Sequence, residues 1–237
     1  MMRAVVNGLL AALVAPVCAR CCGVLDRPLD GAACPDCWQQ VARFSPPICR
    51  RCGDALPGRA DGETCRACSV DLGPIAAARA LGPYEGALAD LILACKYQRR
   101  PTVADGLGRR LRAVLETWPE AIAAAVPVPL HAARERERGF NQAERIARGL
   151  GLPVAPALVR VVRTAPQAGA TAAERHANVR GAFRLARTPA LRGRVVVLVD
   201  DVLTTGATLA AAAEALAAAE PARILALTAA RAGLVRR

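Results

Sequence analysis

From residue 84 onwards the apolar positions fall into two rhythms. Leu88, Leu91, Ile92 and Cys95 recur at helical spacing and predict a helix over Tyr84–Tyr97. Leu107, Leu111, Val114 and Leu115 predict a second over Val103–Trp118, and further helices are expected over Phe140–Leu150 and Leu209–Ala219. Between them lie short apolar runs without polar alternation. Ile122–Val128, Val154–Val162 (with Pro156 near its start), Val195–Val199 and Ile224–Thr228 read as strands, the kind buried on both faces. Strands alternating with helices predict an α/β domain with a parallel sheet flanked by helices. Residues 69–83 contain Gly and Pro and mark the start of that domain, while the polar stretch 163–180 has no apolar period and reads as mobile.

One stretch carries more chemistry than the rest: VVVLVDDVLTTGATL, residues 195–209. Asp200 and Asp201 are expected to end the strand, where ligands gather in open α/β sheets. Thr204-Thr205-Gly206-Ala207-Thr208 then turns into the helix. A helix N-terminus offers unpaired N–H groups and a positive dipole end, so it welcomes an anion. Threonine hydroxyls add donors, and Gly206 lets backbone approach closely. The acids repel that same phosphate and suit ribose hydroxyls or a hard cation such as Mg²⁺. A Walker A loop is excluded, because it needs Gly-Lys-Ser/Thr and the only lysine, Lys96, follows Ala94-Cys95. The dinucleotide fingerprint needs three spaced glycines, and this turn has one. A plain strand–turn–helix capped by Thr204 or Thr205 would not require the acidic pair and the turn together.

The segment resembles the phosphoribosyl-pyrophosphate (PRPP) signature of type I phosphoribosyltransferases. That likeness implies a PRPP site running through Asp200, Asp201, Val202, Leu203, Thr204, Thr205, Gly206, Ala207 and Thr208. Asp200 and Asp201 would carry the chemistry by holding ribose, directly or through Mg²⁺, and Thr204 to Thr208 would hold the 5′-phosphate.

The second signal is a run of thiols. Nine of ten cysteines lie within Cys18–Cys68, and eight form C-x-x-C pairs: Cys18/Cys21, Cys34/Cys37, Cys49/Cys52 and Cys65/Cys68. The first two pairs recur 31 residues later, together with Asp30-Gly31 against Asp61-Gly62, so the unit is duplicated. C-x₂-C-x₁₂-C-x₂-C, twice, is the spacing of two Cys₄ zinc sites. Disulfides would need an oxidising compartment, and redox motifs do not come as tandem quartets. Four thiolates leave no open position on the metal, so the zincs are structural. Consecutive and interleaved pairing share the same spacing, and Cys22 could replace Cys21. Cys95, within a helical apolar pattern, is expected in the core.

Charge divides the chain as sharply as the cysteines do. Of a net +12, residues 1–72 carry +1 and residues 73–237 carry +11. Each Zn(Cys)₄ centre would contribute −2, which leaves about +8 on the metal-loaded chain. The basic half is therefore the phosphate-handling half, and the whole chain's three Phe, two Tyr and two Trp leave no extended base-stacking platform. Ala4–Val17 is apolar but interrupted by Asn7-Gly8, lacks a small-x-small cleavage pattern before Cys18, and is too short to span a membrane. It reads as a helix packed on the protein, with no membrane insertion. Zinc-binding thiols and a PRPP-type site both point to the cytosol.

Three segments widen the likeness: VPVPLHAARERERGFNQA (126–143), RTAPQAGATAAERHANVRGAF (163–183) and the DDVLTTGAT turn, behind a cysteine-rich N-terminus. The chain resembles the ComF family (ComFC or GntX type) over nearly its full length. The likeness implies a double zinc ribbon at 18–72 and a type I phosphoribosyltransferase-like domain at 73–237, behind the apolar helix read at 1–17. By the same likeness Val128, Pro129 and Leu130 lie in the pyrophosphate loop, with Arg134 and Arg138 facing the diphosphate. Segment 163–180 becomes a hood loop over PRPP, with Gln167 and Arg175 reaching inward. On the residues alone, the arginines among Arg134–Arg138 also fit a solvated charged turn, and His131 and His176 read as plain loop residues. Lys96 fits a phosphate contact or a helix-end cation equally well. The family's association with natural competence implies single-stranded DNA and competence proteins as partners, so beside a PRPP-using transferase the same fold also fits a non-catalytic single-strand-handling module or a PRPP sensor. The acceptor of any phosphoribosyl transfer is not legible.

Overall fold

The Val/Leu/Ala runs meet in one parallel sheet. The structure is a computed structural model and describes residues 2, 6–8, 15–56, 58, 63–65, 72–163, 174, 178–186 and 190–232. Strands β1 (Ile75–Pro83), β2 (Ala124–Pro127), β5 (Val195–Leu203) and β6 (Arg223–Arg231) lie in the order β1-β6-β5-β2, each neighbouring pair parallel. Alternate residues feed two cores. Val197, Val199, Leu225 and Leu227 pack against the helices α2 (Gly86–Tyr97), α3 (Pro101–Leu115) and α5 (Gln142–Gly149). Val196, Leu198, Ile224 and Ala226 face the opposite side, with Leu209, Ala212, Ala213 and Leu216 of α6 (Ala207–Ala217). The continuous apolar runs are thus explained, because both faces are covered.

Four sequence expectations change. Residues 75–83 are strand β1, paired with β6, rather than a boundary segment; its alanines carry no β-branched signal but fit a face packed closely against helices. Val154–Val162 does not join the sheet as one strand. Val154 makes a single parallel bridge to Ala125, and only Leu158–Arg160 (β3) is strand, antiparallel to β4 (Phe183–Leu185). Asp200 and Asp201 do not end β5, which continues to Leu203. The charged stretch after β2 is a seven-residue helix, α4 (Ala132–Arg138), capped by His131, whose Nδ1 accepts the Ala133 N–H at 3.2 Å. Most of segment 163–180 lies outside the described residues.

The ribbon shows its duplication in hydrogen bonds. Cys22 and Gly53 stand at equivalent positions, both in the left-handed region (φ +59° and +72°). Their N–H groups close the same turn, Cys22 onto Cys18 O (3.1 Å) and Gly53 onto Cys49 O (2.9 Å). Val17 bridges Val24 as Ile48 bridges Ala55, and Leu25 N–H donates to Pro16 O as Leu56 N–H does to Pro47 O. A short helix, α1 (Pro35–Gln39), starts at Cys34 and presents buried Trp38 to Gly106 of α3. The ribbon also satisfies β1's outer edge: Ala78 N–H donates to Arg51 O (2.7 Å) and Phe44 N–H to Leu81 O (3.0 Å). An edge strand left bare would invite pairing with another chain. Of the expected N-terminal helix, residues 6–8 are helical, and buried Asn7 accepts the Leu29 N–H at 3.0 Å. Residue 2 is helical too, whereas residues 15–17 are not, Val17 forming the bridge to Val24; the remainder lies outside the described residues. Among the described residues no helix is long and apolar enough to cross a membrane.

Candidate metal centres and phosphate site

Cys18, Cys21, Cys34 and Cys37 converge in one cluster, and Cys49, Cys52 and Cys65 in another. Pairing is therefore consecutive, and Cys68 lies outside the described residues. Cys22, having taken the left-handed turn position, is exposed and stands outside the first cluster. Sulfur–sulfur distances are 3.7 Å (Cys18–Cys37), 3.8 Å (Cys21–Cys34) and 3.6 Å (Cys52–Cys65). Sulfurs about 2.3 Å from one tetrahedral ion stand about 3.8 Å apart, so the thiols fit zinc. A disulfide would bring two sulfurs to about 2.0 Å.

The backbone prepares these thiols for a cation. Cys34 N–H donates to Cys18 Sγ and Cys65 N–H to Cys49 Sγ, both at 3.3 Å. Burial opposes ionisation of Cys18, yet the N–H groups of Arg20, Cys21 and Cys34 outweigh it and pull the thiol down to about 6. Cys49 is brought to about 6 in the same way, against burial, by Cys52, Cys65 and Arg51. Burial and the neighbouring thiols push Cys37 up to about 12 and also raise Cys65. Each cluster thus holds one ready thiolate beside a thiol, Cys37 in the first and Cys65 in the second, whose proton a metal would displace.

The second site lies at the C-terminal end of the sheet. Buried Asp201 receives Lys96 Nζ on Oδ1 at 2.9 Å, and its Oδ2 is buried without a partner. Asp200 Oδ1 accepts the Asp201 N–H at 2.8 Å. Burial and the Asp201 charge push Asp200 up to about 7, against that N–H, Lys96 and Arg160. Burial works against the Lys96 cation, but the two aspartates outweigh it and hold its pKa above the ordinary value. An orphaned carboxylate oxygen beside a second carboxylate is a donor set suited to Mg²⁺.

Anion-receptive groups flank the acids on two sides. Gly206, at φ +86°, opens α6 without a capping side chain, and Thr205 Oγ1 accepts the Ala207 N–H at 3.5 Å. Thr204 is exposed, Thr205 and Thr208 are half-buried, Val202 is half-buried and Leu203 is buried. On the other side Lys96, Tyr97, Arg99, Arg134, Glu137 and Arg138 line a cavity of about 280 Å³, four cations to one acid. Arg99 donates to Glu137 O at 2.8 Å, and Arg138 is bonded to Gln142. Val128, Pro129 and Leu130 form the loop from β2 into α4; buried Asn141 pins it by donating to Val128 O at 3.1 Å.

A phosphoribosyl transferase domain family matches residues 136–235, and a double zinc ribbon domain family matches residues 9–69. Competence protein F of Haemophilus influenzae is 36% identical over 143 residues, 54% of this chain and 61% of that protein. DNA utilization protein YhgH of Escherichia coli K12 is 36% identical over 146 residues, 56% and 62% of the two chains. Competence protein ComFC of Bacillus subtilis is 32% identical over 108 residues, 43% and 41%.

The chain belongs to the ComF family.

Its matched region spans about three-fifths of the length of the first two relatives. Within this ComF-family chain the structure brings together most of the residues singled out in the sequence. Arg134 and Arg138 share the cationic cavity, and Lys96 is neither a free helix-end cation nor a bare surface charge but the partner of Asp201. Gln167, Arg175 and His176 lie outside the described residues. Three residues escaped sequence reasoning. Arg160 on β3 lies close enough to Asp200 and Arg134 to feel both charges. Asn141 anchors the 128–130 loop, and its position before a helix was the available signal. Arg231, at the end of β6, is 1% exposed and donates to Thr204 O at 2.6 Å; nothing in an alanine-rich strand announced it.

Proposed function

We propose that this protein binds PRPP with Mg²⁺ at the C-terminal end of the sheet and acts in pentosyl transfer linked to competence or DNA utilisation. The supporting observation is an arrangement of charge: an acid pair stands between two anion-receptive ends. PRPP has the complementary order, phosphate, ribose diol, diphosphate. The turn Thr204–Thr208 takes the 5′-phosphate through N–H groups at the start of α6. Asp200 and Asp201 take the ribose hydroxyls and would hold Mg²⁺, which when bound spreads the charge of the leaving diphosphate. The loop Val128–Leu130 and the cations Lys96, Arg134 and Arg138 face the diphosphate, with Gln167 and Arg175 assigned to the covering loop.

In this reading a nucleophile bonds to C1 of the ribose as the C1–O bond to diphosphate breaks, the electron pair leaving with diphosphate. Positioning and neutralisation of the leaving group carry the catalysis. Lys96 holds Asp201 oriented until the ligand arrives. The names of the relatives, competence protein and DNA utilization protein, and the +11 charge of residues 73–237 support a nucleic-acid partner for the same basic half.

The test is calorimetric titration of zinc-loaded protein with PRPP and Mg²⁺, followed by assay for released diphosphate. Wild-type protein is expected to bind, and the double variant D200N/D201N to lose binding with zinc content unchanged. Equal PRPP affinity in the double variant would sink the assignment.

A further inference from the structure

Arg231 is the bulkiest fully buried side chain of the described residues, at 1% exposure. It closes β6 opposite Leu203 of β5 and Pro83 of β1, so it sits in the middle of the sheet at its C-terminal end. One terminal nitrogen, Nη1, donates to Thr204 O at 2.6 Å and is 3.4 Å from Leu203 O. Its Nε and Nη2 are buried and have no partner among the described residues. No carboxylate among the described residues forms an ion pair with it. A guanidinium cannot shed its proton to escape this situation. Among the described residues this permanent cation therefore meets two carbonyls and no counter-charge, an arrangement that is costly by itself.

That cation lies beneath the two residues that lead into the phosphate turn. We infer that Arg231 is a positioning residue for this turn: a fixed, buried positive charge whose counter-ion is the dianionic phosphate of the bound ligand. The inference rests on the PRPP reading and deepens it. By engaging the carbonyls of Leu203 and Thr204, Arg231 fixes the start of the turn, and its charge makes the turn selective for a phosphate monoester in its doubly ionised form. The diphosphate end, served by the Lys96 cavity, is independent of it.

The experiment is titration of the zinc-loaded full chain with ribose 5-phosphate, and separately with inorganic diphosphate and Mg²⁺, for wild type, R231M and R231K. R231M is expected to bind ribose 5-phosphate about tenfold or more weaker, the scale of one hydrogen bond to a charged group, with diphosphate affinity unchanged. R231K restores the charge and is expected to recover most of the loss. Wild-type and R231K affinity should rise with pH through the second phosphate ionisation, near pH 6, and that rise should flatten in R231M. A residue that only braces the fold would not move this profile. The melting temperature of ligand-free R231M should change little, because losing the hydrogen bonds to Leu203 O and Thr204 O is offset by removing a buried cation that has no counter-charge among the described residues. Unchanged ribose 5-phosphate affinity in R231M, equal losses for both ligands, or a fall in melting temperature with no recovery by R231K would overturn the inference. Wild-type protein that binds neither ribose 5-phosphate nor PRPP would instead overturn the PRPP reading beneath it.

Discussion

Over residues 15–65 the buried large apolar side chains are few, Leu25, Trp38, Val41 and Leu56. The sheet half buries Ile75, Leu81, Leu88, Leu91, Ile92, Leu107, Leu111, Ile146 and Leu198 almost completely. One region is held by sulfur and metal, the other by apolar burial. The difference shows in what each can lose. A sheet core spreads its stability over many contacts, so one residue rarely decides it. A ribbon with so small a core depends on two ions, and structural zinc supplies roughly 10–16 kcal/mol of apparent binding energy to such domains. The two halves are not independent, because the ribbon's backbone satisfies the outer edge of β1.

Removing the metal is the largest break available. Two zincs per chain are expected, and C21S should bind one, whereas C22S should keep two, since Cys22 only fills a turn position. Chelation should unfold the ribbon and bare β1, seen as a loss of thermal stability accompanied by concentration-dependent association. Zinc-free protein that stays monomeric with an unchanged melting temperature would show that the ribbon does not guard the sheet.

The same contrast explains what was legible in the sequence. Ribbon ligands lie within 20 residues of one another, and the 31-residue repeat even fixes equivalent hydrogen bonds, so spacing sufficed to find the thiols. Pairing did not follow from spacing and needed the fold. The turn Thr204–Thr208 is equally local. The Lys96–Asp201 pair spans 105 residues and forms only when the end of α2 meets β5 in the folded chain. Arg160 and Arg231 reach the site from β3 and β6, and no local pattern marks them. Strand β1 was hidden because IAAARALGP has neither β-branched density nor alternation. Its place at the edge is set by pairing with β6 and by the ribbon.

The junction between the halves offers a smaller break. A Cβ on Gly106 would stand 2.6 Å from Trp38 Cζ2, and Arg110 covers the Trp38 ring at 3.7 Å. Gly106→Ala should therefore cost about 1–3 kcal/mol by overpacking, read as a fall in melting temperature of about 2–4 °C per kcal/mol. Zinc content should remain two. Trimming the ring in G106A/W38A should make the two costs strongly non-additive. A wild-type melting temperature in G106A would mean that the ribbon is free to shift off α3.

A pH dependence separates a site from a scaffold most finely. Each thiol cluster converges for a cation, and in the proposed reading the acid pair does too, but the strain of the acids unfolds nothing. Asp200 is pushed up to about 7 by burial and by Asp201, against about 4 in an unfolded chain. A carboxyl whose folded value is raised favours the fold while protonated. That stability is fully present below about pH 4 and is lost as the pH climbs to about 7. Asn at this position cannot ionise and can still accept the Asp201 N–H. Asp200→Asn alone should therefore match wild type near pH 4 and become the more stable protein above pH 7, by about 2–4 °C for each kcal/mol recovered. Melting curves of the ligand-free protein across that range would decide it. Parallel curves for the two proteins would mean that Asp200 ionises without strain, and the acid pair would lose its standing as a site that stores charge for a ligand.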